Sequence, residues 1–209
     1  MRVNLKPATQ SRDAEVTRAK ILDAAEEEFA QGGLSGARTE AIAQRTGVTK
    51  AMIYYYFESK ERLYQAVLER CFRGHLEAAL DPSWEVGDPA ENLELFIRQY
   101  LSRAANNPNM PAIVAHEAIQ NQGKYYKQTG VLAFYQTMAN ILERGMQAGL
   151  FRQVDAYHAA VTIVGACVFY FCSRENIKHL WADRDIMSPD MVRAHIDEAV
   201  KLIMRGLAA

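Results

Sequence analysis

Apolar residues recur every three or four positions along nearly the whole of this chain, and nowhere do they alternate with polar residues as a half-buried strand requires. That periodicity restricts the fold to packed helices, and the punctuation between stripes sets their number. Ile21, Leu22, Ala25 and Phe29 form one stripe over about residues 16 to 31, stopped at Gly32-Gly33, where glycine accepts a left-handed cap. Thr39, Thr49, Ser59, Asp88 and Ser188 each stand where a new stripe begins, with a side-chain oxygen suited to hold a free helix N–H. Asp88, Pro89 and Glu91 together have the form of a capping box. Further helices are expected over about residues 111–121, 130–148 and 155–175, and a last one from Pro189 to Gly206. The fold class is therefore all-α, with about nine helices. The clearest break is "DPSWEVGDP" at residues 81–89, which holds two prolines and a glycine.

Charge excludes a globally basic nucleic-acid binder. The net charge is −1, and residues 1–70 hold 11 Lys+Arg against 10 Asp+Glu, so any hold on a polyanion must come from a local arrangement. Cys71, Cys167 and Cys172 form no CxxC, which suits a reducing compartment without disulfides or zinc. The polar N-terminus is no signal peptide, and the most apolar run, Ala159–Cys172, covers 14 residues, short of a membrane span. A cytoplasmic protein with no membrane partner is expected, and nothing calls for a cofactor or metal.

Residues 50–60, "KAMIYYYFESK", place four consecutive aromatics between two lysines. On a helix from Thr49, Met52, Ile53, Tyr56 and Phe57 make an inward stripe, leaving Lys50, Ala51, Tyr54 and Tyr55 outward. A cation, a small residue and two rigid hydroxyls suit phosphate oxygens. Thr39, Thr49 and Lys60 add donors at helix N-termini, where free N–H groups favour anions. The tight turn around Gly47 between two short helices reads as a helix-turn-helix, whose second helix enters the major groove. Ile53, Phe57 and Tyr56 serve the core, although Tyr56 keeps a polar tip.

"TRAKILDAAEEEFAQGG", "TEAIAQRTGVTKAMIYYYFESKERLYQAVLE" and their spacing over residues 17–69 resemble the DNA-binding domain of the tetracycline-repressor (TetR/AcrR) family. The resemblance implies operator contacts, mostly to backbone phosphates, at Thr39, Thr49, Lys50, Tyr54, Tyr55 and Lys60. Ala51 is added from its outward place, and Tyr56 stands where many relatives have His. It also implies a flexible arm over 1–14, a helix-turn-helix domain over 15–60 and an effector-binding, dimerising body over 61–209. In such a mechanism an effector shifts the helix from Ser59 to Leu80 and so changes the spacing of the two recognition helices. The implied partners are operator double-stranded DNA, a small apolar or aromatic effector and a second copy of the chain.

In the body, Val192, Ile196, Ala199, Val200 and Ile203 form an apolar stripe, and the 155–175 helix is apolar nearly all round. Both are candidates for an intersubunit four-helix bundle, as in the family. Phe96, Tyr100, His116, Gln120, Phe134, Met138 and Phe169 are candidates for the effector site, because an apolar cavity with a few polar groups is the usual form of one. An enzyme is the rival class, but "HEAIQ" at 116–120 lacks the second His of HExxH, and no GxGxxG, P-loop or GxSxG occurs. A helical small-molecule-binding protein with a vestigial helix-turn-helix is the other.

Overall fold

The computed structural model describes residues 8–209, with side chains from residue 12, and the described residues form ten α-helices. The first three make a compact unit. Helix α1 (Ala8–Gly36) is broken at Gly33, where φ is 64° and ψ is −169°. It packs on α2 (Thr39–Thr46), which turns at Gly47 (φ 71°) into α3 (Lys50–Phe57). Entry to α1 at Ala8 is earlier than the expected Val16, and the rest of the expected arm, residues 1–7, lies outside the described residues. Ile21, Ala25, Phe29, Ile42, Ile53 and Phe57 fill the centre of this unit. Burying each isoleucine or phenylalanine in full contributes roughly 1.5–3 kcal/mol.

Helix α4 (Lys60–Ala79) leaves the unit and runs into the body. Ser59 caps it, accepting from the Arg62 N–H at 3.1 Å. Its Arg70 guanidinium reaches back to α1, with Nη1 2.7 Å from Asp23 Oδ1, and Nη2 2.6 Å from Glu26 Oε2 and 3.1 Å from the Leu22 carbonyl. Tyr64, fully buried, sets its ring edge-on to Phe29 of α1 at 4.9 Å. One continuous helix is thus fastened to both parts of the molecule.

The body is built of α5 (Pro89–Asn106), α6 (Met110–Asn121), α7 (Val131–Gln147) and α8 (Ala156–Cys172), with the short α9 (Arg174–Ile177) and the terminal α10 (Pro189–Leu207). Asp88 caps α5 as its spacing predicts, accepting from Ala90 N at 2.7 Å and Glu91 N at 3.1 Å. The 81–89 break is not a bare loop. It holds a 3₁₀ turn over Pro82–Glu85 that buries Trp84 against Phe96, and the indole donates to the Ala78 carbonyl. Two left-handed residues in succession, Gln122 (φ 54°) and Gly123 (φ 73°), end α6. No single described helix is long and apolar enough to cross a membrane.

Candidate nucleic-acid interface and ligand cavity

Thr49 accepts from the Met52 N–H at 3.2 Å and so starts α3, leaving its own hydroxyl hydrogen free. From that start the helix turns Ile53 and Phe57 inward and Lys50, Ala51, Tyr54 and Tyr55 outward, as helical geometry predicts. Tyr55 is the most exposed, at 83%, and packs edge-on against the half-buried Tyr56 at 5.5 Å. Met52 departs from the expected inward stripe and is exposed, because only Ile53 and Phe57 of this eight-residue helix are buried in the small core.

Two members of the set are already engaged. Lys50 Nζ lies 2.5 Å from Glu40 Oε1 on α2 and 5.9 Å from the centre of the Tyr54 ring. The hydrogen bond between them holds the Glu40 carboxyl below its usual range and the Lys50 ammonium above its own. An exposed pair of this kind contributes little stability, so a phosphate can compete for the lysine. Thr39 corrects the sequence reading. Arg38, not Thr39, occupies the cap position of α2, and Thr39 is 5% exposed with its hydroxyl 3.5 Å from that of Tyr54. Lys60, at the first turn of α4, points Nζ to the Ser35 carbonyl at 3.4 Å.

His116 and Gln120 were expected at the effector site, and the structure puts them elsewhere. Both stand on α6 at its contact with the break in α1. Gln120 Nε2 donates to the Gly32 carbonyl at 3.1 Å and lies 3.3 Å from His116 Nδ1. Its Oε1 accepts from Ser35 Oγ at 2.9 Å and from the Ser35 N–H at 3.3 Å. One turn away, the buried Glu117 carboxylate accepts from Tyr125 N and Asn121 Nδ2, each at 2.6 Å. Tyr125 in turn meets Tyr64 of α4 edge-on at 5.6 Å. The end of α6 therefore joins head, α4 and body.

A small aromatic cavity of the body lies further along α4. A cavity of about 20 Å³ is surrounded by Phe72, His75, Tyr100, Tyr126, Phe134 and Tyr135 and closed by Val131 and Val164. Of the expected residues, Tyr100 and Phe134 line it. Phe96 stacks behind Phe134 at 5.0 Å, Met138 is fully buried core, and Phe169 is 61% exposed on the outside of α8. Sequence reasoning did not single out His75. Its signal was an imidazole on the apolar stripe of α4, three and four residues beyond Phe72 and Cys71. Burial pushes its pKa down to about 4, so the ring is neutral at ordinary pH. The Cys71 and Cys167 thiols are pushed up to about 12 by the same cause and are inert.

The outer surface of α8 and α10 also differs from expectation. Val200 is buried inside the protomer, and Ile196, Ala199 and Ile203 pack on the same core, so most of that stripe is not free. The large apolar residues left outward are Tyr157, Val161 and Phe169 of α8 and Leu202 of α10. Beside them runs a groove of about 560 Å³ between the two helices, in which Ile203 takes part.

A helix-turn-helix with a hydroxyl- and lysine-bearing second helix, joined by one continuous helix to an aromatic cavity, defines a ligand-responsive DNA-binding regulator. Residues 21–67 match the family described as "Bacterial regulatory proteins, tetR family", and residues 89–203 match "Tetracyclin repressor-like, C-terminal domain". The chain belongs to the TetR family of transcriptional regulators. It is 29% identical over 183 residues to the transcriptional repressor NicS of Pseudomonas putida, covering 85% of this chain and 86% of NicS. Likeness to the regulator RutR of Escherichia coli is confined to 61 residues, 29% of each chain, but reaches 46% identity. Among solved structures, PfmR of Thermus thermophilus superposes with a TM-score of 0.71 at 21% identity, over 90% of this chain and 99% of that one. The fatty acid degradation regulator FadR of Bacillus halodurans gives 0.67 at 19% identity, over 90% and 98%. These two likenesses concern the fold.

Proposed function

We propose that the protein is a homodimeric repressor that holds a palindromic operator through α3 and lets go when a small aromatic effector enters the cavity under α4. The observation that carries this reading is α4 itself, which is bound to α1 by Arg70 and Tyr64 and lines the cavity with Phe72 and His75. On this reading residues 15–60 contact DNA, through Thr49, Lys50, Ala51, Tyr54, Tyr55 and Lys60, while residues 61–209 bind effector and partner. Thr39 orients Tyr54 more than it touches phosphate. The name of NicS, a transcriptional repressor, favours repression, and a site of action on DNA favours the cytoplasm.

Parting the aromatic rings around the cavity moves α4, and with it the head. Two recognition helices must meet half-sites about 34–36 Å apart, so a small displacement costs affinity at both. An effector does this only as far as it binds the two arrangements differently. The exposed apolar face of α8, continued by Leu202, is the surface by which the second copy is held.

Filter binding to genomic fragments at two salt concentrations tests the DNA reading. Sequence-selective retention with a steep salt slope is the expected result, and equal weak retention of all fragments overturns it. Light scattering at micromolar concentration is expected to give about twice the 23.5 kDa chain mass. Val161→Glu with Phe169→Glu should return the mass to that of one chain without unfolding it, since both side chains are exposed in the protomer.

A further inference from the structure

We infer that the cavity under α4 takes an uncharged aromatic molecule bearing a hydrogen-bonding group, and that His75 is the residue that selects that group. This rests on the effector reading above and adds the chemical class of the ligand. His75 is 6% exposed, and neither ring nitrogen makes a hydrogen bond of normal geometry among the described residues, the Cys71 carbonyl one turn back on α4 acting on the ring only as a weak acceptor. Buried polar groups are nearly always paired, and one left unpaired costs stability. The imidazole is enclosed by rings instead, with centroids 5.5 Å away at Tyr100, 6.1 Å at Phe72 and 6.3 Å at Phe134.

That surrounding fixes the ligand's character in three respects. Aromatic walls favour a flat ring, stacked or edge-on. A neutral imidazole offers one donor and one acceptor; the acceptor has no protein partner, and the donor has at most a poorly aligned Cys71 carbonyl. No lining residue carries a formal charge, so a buried ionic ligand would have no counter-charge in the cavity. Arg103, whose charge acts on His75, bonds instead to Gln99 Oε1 at 3.3 Å and lies outside the lining. At about 20 Å³ the resting cavity has room for one water, so a ring enters only by parting Phe72, Tyr100 and Phe134. The same parting displaces α4.

Phenol, benzene and benzoate serve as probes, with binding read by calorimetry and by Tm at pH 7.5 on the wild type and on His75→Phe. Phenol should bind the wild type about tenfold more tightly than benzene, and benzoate more weakly than either. In His75→Phe the phenol preference should vanish, while the unliganded Tm rises by about 2 °C or more because the orphaned imidazole is gone. Purely structural histidine would instead give a lower Tm. Tighter binding of benzoate overturns the ligand class but leaves the cavity as the effector site. Phenol preference retained in His75→Phe overturns the role of the histidine, and no binding by any of the three overturns the inference outright. Phenol that binds as expected yet leaves operator affinity unchanged refutes the effector reading instead.

Discussion

Gly33→Ala is expected to lower the unfolding free energy by about 3 kcal/mol and Tm by about 6–12 °C, the largest loss from any one-methyl change in the head. Two separate causes contribute. With φ at 64° and ψ at −169°, Gly33 occupies a backbone region essentially reserved to glycine, where another residue costs about 1–3 kcal/mol. A methyl there would also stand 2.3 Å from Gln120 Oε1 and 2.6 Å from its Cδ, so the carboxamide must leave Gly32 and Ser35. Urea denaturation of Gly33→Ala beside Gly33→Ala/Gln120→Ala separates the two. The double variant relieves the clash but not the strained backbone, so it should recover only part of the loss. Gly36→Ala, where a methyl meets open space, is the control and should stay within about 1 kcal/mol of wild type. Full recovery in the double variant would show that the backbone at Gly33 carries no strain.

Tyr55→Ala is expected to weaken operator binding more than a hundredfold while leaving the urea midpoint within about 0.5 kcal/mol of wild type. The ring is 83% exposed and meets only the edge of Tyr56, so the fold does not need it. A hydroxyl donating to a charged phosphate contributes about 1.5 kcal/mol or more, and a dimer on a palindrome loses it twice, giving about 3 kcal/mol. Tyr54→Phe should cost less, because the Tyr54 hydroxyl already lies 3.5 Å from that of Thr39 before DNA arrives. Lys60→Ala should lower affinity alike for operator and unrelated fragments and flatten the salt slope by about one for each copy bound. Electrophoretic mobility shifts at three salt concentrations would measure all of these. Unchanged affinity in Tyr55→Ala would remove α3's exposed face from the DNA contact.

The helix starts were legible because their information is local. Capping by Thr49 and Ser59 in and beside the head, and by Asp88 in the body, depends on residues two or three positions away, and each cap stands where its spacing places it. Thr39 was misjudged for want of the same kind of signal: Arg38 takes the cap in extended backbone, and the neighbouring threonine turns to Tyr54, fifteen residues on. In the body Tyr100 and Phe134 line the cavity, while the other candidates lie away from it for a common reason. His116 and Gln120 are polar residues at a helix end, a pattern equally suited to a pocket mouth and to a contact with α1. Val200 and Phe169 are both apolar residues of apolar stripes, yet one is 3% exposed and the other 61%.

The amino-acid sequence by itself determined the all-helical class, most of the helix starts, which residues of "KAMIYYYF" other than Met52 face inward and outward, and membership of a DNA-binding family. Periodicity of 3.6 residues is a property of one helix, so one helix's residues suffice to read it. Only the tertiary structure decided which neighbour covers each apolar face. It seated the apolar stripe of α10 against the protomer core, left the outer side of α8 bare, laid Gln120 over Gly33 and closed five aromatic rings around His75. Those outcomes depend on how helices far apart in the chain pack together, where volume and hydrogen-bond pairing are settled among several elements at once.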